Sequence, residues 1–384
     1  MPGIYIHVPF CRQACRYCDF FFTVSLKYRE DYCQALLIEL GNRKGELGGH
    51  MVNTVYLGGG TPSVLSVDQL RDLFTEVFKS YEIAEDAEIT VEANPDDLTE
   101  ERLQALRECG VNRLSIGIQS FKEEDLKLMR RSHSVEQAMR CIELSHEAGF
   151  RNITMDLIYG IPGQNLRNWE KNVLLAMKLP IQHLSAYHLS YEPGTVFSHW
   201  KKKGRIKEIP EELSIEQYHL LRKITSEHGF EHYEISNFAK EGYRSRHNSS
   251  YWDGSNYLGF GPSAHSYNGR ERRWNISSLQ KYTEGSKTGG RIFEHEVLSR
   301  RDRFHDYLIT SLRTSDGLGK NSIRDSFGED FLLNLEKKLK PLSDQGEMIM
   351  DGDRIRMSPG GWLKSDHLIR ELMLDEESDQ ISED

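Results

Sequence analysis

An α/β fold is predicted for this 384-residue chain: a partial (β/α)6-type barrel followed by a helical, winged-helix-like C-terminal domain. Three features predict it. Short β-branched runs alternate with amphipathic stretches from Gly3 to about Tyr233, the alternation then fades, and the last stretch reads helix, helix, helix, hairpin. Strands are expected at Gly3 to Val8, Asn53 to Leu57, Ala87 to Glu92, Arg113 to Ile118, Asn152 to Tyr159 and His183 to Ser190. Helices are expected at Tyr28 to Arg43, Ser66 to Ser80, Thr99 to Glu108, Val135 to Ala148 and Leu166 to Leu179. Ser66-Val67-Asp68-Gln69, and Thr99 ahead of two glutamates, are start signals, while Gly110 and Gly149 suit left-handed caps. Strands separated by helices pair in parallel through right-handed crossovers. Six such units suit an open barrel fragment better than an eight-stranded closure.

Residues 1–235 are read as the barrel domain, 236–300 as a connecting segment and 301–384 as the C-terminal domain. Within the connecting segment, Arg246 to Asn268 is rich in Gly, Asn, Ser, Tyr and Trp and reads as a structured loop. Helices follow near Arg303 to Arg313, Asn321 to Phe327 and Glu329 to Leu339; Glu347 to Ser358 then alternates around the turn signal Asp351-Gly352. Residues 303–384 carry 11 Lys/Arg against 18 Asp/Glu, so DNA binding is not expected there, and the acidic tail from Asp375 reads as disordered.

Composition sets the class. Apolar residues make up 38%, aromatics 10% and charged residues 28%, enough for a packed core under a charged surface. A net charge of -10 argues against a general nucleic-acid binder. The sequence has no apolar run of about 18 residues and no secretory signal, so a cytoplasmic globular protein is expected. Strand C-termini of such barrels carry the chemistry. Here they supply Gly58 to Thr61, Glu92, Gln119, Asp156 and Ser190.

Cys11, Cys15 and Cys18 fall within eight residues, while Cys33, Cys109 and Cys141 are scattered and read as small buried hydrophobes. Three thiolates on one loop can bind three irons of a [4Fe–4S] cluster and leave the fourth open to a small ligand. A zinc site of three cysteines and His7 can also be written, but zinc motifs favour Cys-x2-Cys pairs and His7 lies on the first strand.

The loop resembles the signature of the radical S-adenosylmethionine (SAM) superfamily, Cys-x3-Cys-x2-Cys with an aromatic, here Tyr17, before the third cysteine. Tyr5 to Cys11, Gly58-Gly59-Gly60-Thr61-Pro62, Gly117 to Phe121 and Asp156 to Gly163 narrow the likeness. They resemble the group that holds oxygen-independent coproporphyrinogen III oxidase and the heme chaperone HemW. The resemblance implies cluster ligation by Cys11, Cys15 and Cys18, and contact of Gly59, Gly60 and Thr61 with the methionine part of SAM, where glycine permits close backbone approach. It further implies Tyr5 and Tyr17 beside cluster and SAM, Glu92 toward an ammonium or ribose hydroxyl, Gln119 and Asp156 toward ribose hydroxyls, and Arg131, with Arg130 as substitute, toward the carboxylate.

Within that group two activities compete. The oxidases resemble Cys-x3-Cys-x2-Cys-x-Cys behind an N-terminal arm; here Phe20 stands at the last position and ten residues precede Cys11, so porphyrinogen decarboxylation is not expected. His247-Asn248-Ser249-Ser250-Tyr251-Trp252 matches the His-Asn-x-x-Tyr-Trp motif of the heme chaperones, and a neutral imidazole beside flat aromatics suits heme iron. His247 is therefore the expected heme ligand and His265 the next candidate; Lys201-Lys202-Lys203 reads as a solvated face. The resemblance implies heme transfer to hemoproteins such as respiratory enzymes, a reductant such as flavodoxin or ferredoxin, and at most peripheral membrane contact. A radical SAM enzyme acting on another substrate is the third reading.

Overall fold

The computed structural model describes residues 2–374; the tail from Asp375 lies outside the described residues. The barrel runs β1 (Gly3–Val8), α1 (Arg29–Asn42), β2 (Val52–Gly59), α2 (Val67–Ser80), β3 (Ile83–Ala93), α3 (Glu100–Glu108), β4 (Arg113–Gln119), α4 (Glu123–Met129), α5 (Val135–Glu147), β5 (Asn152–Tyr159), α6 (Leu166–Lys178) and β6 (His183–His188). All six expected strands and all five expected helices are present. Ser66 caps α2 in a reciprocal box with Gln69, Thr99 caps α3 through the Arg102 amide, and Gly110 and Gly149 turn the chain at φ 84° and 94°.

Alternation along each strand sorts side chains between the helical shell and the barrel lumen. On β1, Ile4, Ile6 and Val8 are wholly buried in the main core, while Gly3, Tyr5 and His7 take the lumen face. Trp169, Val173 and Ala176 of α6 press the same shell onto the sheet.

After β6 come α7 (Val196–Lys202), α8 (Glu211–Glu227), β7 (Glu231–Glu234), β8 (Asn237–Ala239), α9 (Arg246–Trp252), β9 (Tyr257–Phe260), β10 (His265–Tyr267), β11 (Glu271–Asn275), α10 (Leu279–Thr288) and β12 (Phe293–Val297). These short strands extend the barrel sheet in both directions, giving the order β12-β11-β10-β9-β1-β2-β3-β4-β5-β6-β8-β7. β9 pairs in parallel with β1, so the parallel part has seven strands, flanked by antiparallel ones. The stretch from Arg246 to Asn268 is thus a helix and two strands rather than the expected loop. Strands of three and four residues are too short to show a period against that polar composition.

The C-terminal unit is α11 (Arg300–Ser311), β13 (Leu318–Gly319), α12 (Lys320–Phe327), α13 (Glu329–Asp344), the hairpin β14 (Met348–Asp351) and β15 (Arg354–Met357), and α14 (Ser365–Leu372). Gly352 takes the left-handed turn position of the hairpin at φ 58°. Helix, strand, two helices and a paired hairpin give the winged-helix order expected from sequence.

A buried ion pair ties the sheet extension to the barrel. The side chains of Arg43 and Glu39 on α1 are 4% and 2% exposed and 3.0 Å apart. Arg43 also donates to the Gly259 carbonyl at 2.6 Å and to Ser266 Oγ at 3.1 Å. Glu39 accepts from the Gly261 amide, Asn275 and the Tyr282 hydroxyl at 2.7–2.9 Å. Removing one partner leaves the other charge buried, at a cost of about 3–5 kcal/mol. Arg43→Met is therefore expected to lower the denaturation midpoint strongly, read by urea unfolding of the purified protein.

Candidate functional site

The segment after β1 is drawn into a closed ring. The Thr23 amide donates to the Pro9 carbonyl at 2.7 Å and the Cys11 amide to the Thr23 carbonyl at 3.0 Å, so Phe10 and Thr23 form a bridge across the ring's neck. Inside it there is almost no regular structure, and neighbours set the shape. The end of α4 accepts three bonds: Arg16 N to the Met129 carbonyl at 3.1 Å, Arg16 Nη1 to Leu128 at 3.0 Å, and Gln13 Nε2 to Arg130 at 2.5 Å. Arg12 pairs with buried Asp97 at 2.7 Å, whose second oxygen accepts from Ser63 at 2.8 Å. Cys11, Cys15 and Cys18, all free thiols and half-buried, thereby line one cavity of about 390 Å³.

Strand ends make the other wall. Gly59, Gly60, Thr61, Glu92, Gln119, Arg131 and Asp156 all line the cavity, as does Tyr17. Gln119 sits at φ 68° where the β4–β5 register slips, a strained conformation that turns its side chain to the cavity. Arg131, not the exposed Arg130, reaches the site: it donates to Asn94 Oδ1 at 2.5 Å, the Gly117 carbonyl at 2.8 Å and Cys15 Sγ at 3.4 Å. Thr61 donates to Cys11 Sγ at 3.6 Å and accepts from Asn94 at 3.2 Å. Asn94 and Ser115 were not singled out from sequence; Asn94 lies one residue beyond its strand.

The glycines act differently from the expectation. A Cβ on Gly60 would lie 2.7 Å from the Phe10 carbonyl and 2.9 Å from that of Val8. One on Gly59, at φ 106°, would strike the His7 ring at 2.5 Å. Both positions are bare because the chain's own first strand and cysteine loop pass there, with any ligand contact left to the backbone.

Burial dominates the electrostatics. Glu92 is pushed up to about 7 by desolvation, although the Tyr56 hydroxyl at 2.7 Å and the Gly59 amide at 3.1 Å donate to it. Asp156 rises to about 6 for the same reason, opposed by bonds from Ser185 and Ser115 and by the charge of Arg113. Burial also raises Cys11 to about 11 and Cys18 to about 12, and each is raised further by the other thiols. His7 is not available to a zinc set: its Nε2 lies 2.8 Å from the Phe21 carbonyl and its Nδ1 3.1 Å from the Tyr5 hydroxyl.

Two expected site residues are elsewhere. Tyr5 does not line the cavity; it stacks in the lumen beneath, between Tyr56 at 6.1 Å and His247 at 6.3 Å. His247 is 1% exposed, with Nδ1 2.9 Å from Thr54 Oγ1 and Nε2 2.9 Å from the Tyr251 hydroxyl. Both ring nitrogens are engaged, so the ring offers no free lone pair in this conformation. Desolvation pushes it down to about 3, keeping it neutral. Sequence shows that a histidine has aromatic neighbours, and only the packed barrel shows that they enclose it. His265, in contrast, is exposed at the start of β10.

A parallel, open barrel whose first loop presents Cys-x3-Cys-x2-Cys to the strand ends is the arrangement of radical SAM proteins. A family model for the radical SAM superfamily matches residues 5–176, and one for the HemN C-terminal domain matches residues 298–363. The chain is 36% identical to the heme chaperone HemW of Bacillus subtilis (strain 168), covering 90% of this chain and 92% of that protein. It is 33% identical to the HemW of Lactococcus lactis subsp. lactis (strain IL1403), covering 97% of each. The chain belongs to the HemW family. Its fold is also that of coproporphyrinogen III oxidase (HemN) from Escherichia coli, with a TM-score of 0.84, 24% identity, and coverage of 97% of this chain and 90% of that one.

Because Gly60 faces main-chain oxygens that cannot swing away, Gly60→Ala should destabilise the protein by roughly 1–3 kcal/mol and distort the cysteine loop with it. Urea unfolding and the reactivity of the three thiols toward a maleimide check this. An unchanged midpoint would refute the crowding argument.

Proposed function

We propose that this chain binds heme and passes it to hemoproteins, and that it holds a [4Fe–4S] cluster and SAM in the cysteine-lined cavity. The observation that carries the cofactor part is the meeting of three half-buried free thiols with the polar strand ends in one cavity. The heme part rests on the family, whose curated relatives are heme chaperones. Cys11, Cys15 and Cys18 are the cluster ligands in this reading. The cluster, when bound, supplies an iron with an open position and a one-electron couple. Arg131, already donating to Cys15 Sγ, offsets thiolate charge and is suited to a carboxylate on its remaining edge. Glu92 suits an ammonium, Gln119 and Asp156 suit ribose hydroxyls, and Thr61 with Asn94 keeps the loop aligned on the β2 end.

Heme recipients of the respiratory type, a flavodoxin or ferredoxin reductant, and work in the cytoplasm at the inner face of a membrane belong to the same reading. No helix among the described residues is long and apolar enough to cross a membrane. Against decarboxylation of coproporphyrinogen, Phe20 occupies the rim position two beyond Cys18 and is 65% exposed, so the loop presents an aromatic where the oxidases present a fourth thiol.

Anaerobic reconstitution followed by heme titration and coproporphyrinogen turnover on one sample tests the whole reading. About four irons per chain are expected, lost in Cys11→Ser, Cys15→Ser or Cys18→Ser and kept in Cys33→Ser, Cys109→Ser and Cys141→Ser. Heme should bind, and coproporphyrinogen should not turn over. Multiple turnovers without heme uptake would establish the oxidase instead.

SAM affinity should depend on pH. Its cationic group and hydroxyls favour ionised Glu92 and Asp156, which burial sets at about 7 and about 6. Protonation competes with binding, so affinity should fall as pH drops through about 7 and further through about 6. Glu92→Gln should flatten the upper part of the curve. Calorimetry on cluster-loaded protein reads it, and a flat wild-type profile over that window would remove both carboxylates from the SAM site.

A further inference from the structure

Heme binding leaves open where the iron is held. The cavity of about 390 Å³ is lined by the three cysteines and the polar strand ends, which the proposed reading assigns to cluster and SAM. His247, below the cavity, has both nitrogens bonded and almost no exposed surface.

The sheet extension offers another imidazole. Gly3 pairs with Tyr257 across β1 and β9, Tyr257 with Tyr267 across β9 and β10, and His265 with Trp274 across β10 and β11. Paired residues share a face, so His265 and Trp274 stand on the same face as Tyr5 and His7. β10 runs antiparallel to β9, which puts its first residue, His265, at the rim where the cysteine loop lies. Gly259 of β9 and Gly261 just after it draw the pieces together: a Cβ on Gly259 would lie 2.0 Å from the His265 carbonyl, and one on Gly261 2.5 Å from the His7 carbonyl. The His265 ring is exposed, has no hydrogen-bond partner among the described residues, and stacks beside Trp274 at 6.3 Å and 28°. Desolvation and the charge of Arg272 lower its pKa, which favours the neutral, metal-binding form. His188 also faces the cavity, but its Nε2 is 3.0 Å from Ser214 Oγ.

We propose that His265, beside Trp274 on the open sheet face outside the cysteine cavity, is the axial ligand of the bound heme iron. This rests on the reading that the chain binds heme. The free imidazole would supply the coordinate bond, and the indole would offer an apolar face to the macrocycle. The two cofactor seats are then neighbours on one rim, and neither has to empty for the other to fill.

The test is heme titration of the full-length, cluster-loaded protein, followed by absorption and electron paramagnetic resonance. His265→Gly should lose the imidazole-ligated spectrum and bind heme at least about tenfold more weakly, since even outer contacts of a metal ligand are worth that much. Free imidazole in the buffer should restore the wild-type spectrum in His265→Gly, which a merely structural role for His265 would not allow. Trp274→Leu should weaken heme binding while leaving the ligand field as it was. An unaltered spectrum in His265→Gly, with the change appearing instead in His247→Gln or His188→Ala, overturns the assignment while heme binding itself stands. Failure of the wild type to take up heme overturns both.

Discussion

Parallel strands cannot be joined by a tight turn; after each one the chain has to travel back to the opposite rim, here through a helix. Seven strands of this protein, β9 and β1 to β6, obey that constraint side by side, and everything functional follows from it. All seven end at one rim, so the loops that leave them are forced into a common space. The cysteine loop leaves β1, Gly60 and Thr61 leave β2, Asn94 follows β3, and Gln119 closes β4. Groups far apart in sequence thus meet at the rim, where bonds such as Thr61 to Cys11 and Arg131 to Asn94 and Cys15 fix them to one another. The same constraint explains why the ring from Pro9 to Thr23 keeps its shape: its partners are main-chain carbonyls at the end of α4, fixed by the helix behind them.

That rim is under strain. Glu92 and Asp156 are buried enough to be held above ordinary carboxylates, and Gln119 sits in a conformation that few side chains adopt. Arg131 is bonded through both terminal nitrogens, while its buried Nε has no partner among the described residues. Each of these costs about 1–3 kcal/mol. A site left under-satisfied in this way gains most from a ligand that brings opposite charge and donors, which is the electrostatic sense of preorganisation. The pair Arg43–Glu39 is the opposite case: every oxygen and both terminal nitrogens are used, and the network does nothing except hold β9, β10, β11 and α10 against α1.

How much of this the sequence carried depends on the range of the signal. β1 and β5 were legible to the residue, because buried parallel strands are continuous apolar runs bounded by polar ones. The cysteine spacing was legible because three thiols in eight residues have few other uses. The strands β9 and β10 were not, since β9 pairs with β1, some 250 residues earlier, and β10 is added on β9 in turn, so that only this pairing makes strands of so few residues stable. The glycines after β2 were expected to allow close approach of SAM; what the structure adds is that the chain's own Phe10 and Val8 crowd Gly60. His247 shows a related limit. A motif of His, Tyr and Trp gives the chemistry of the side chains, whereas their availability is a property of burial, and burial is decided by β1, β2 and α9 together.

The enclosed histidine has its own consequence for how the barrel works. Tyr5, Tyr56, His247, Tyr251 and Tyr257 form a continuous column of rings, with neighbouring centroids 4.6–6.3 Å apart. The column fills the lumen below the cavity, and its upper member, Tyr56, bonds Glu92 in the cavity wall. Ring stacks at this spacing are packed core rather than passage. The cavity is consequently closed by rings at its lower end, and it opens at the rim of strand ends. In the proposed reading, a large planar ligand inside would share that space with SAM. A seat on the open face of β10 and β11 avoids that conflict, because the extension shares the rim but not the cavity. The plug therefore does more than stabilise the barrel: by closing one end, it leaves the rim as the open end of the site.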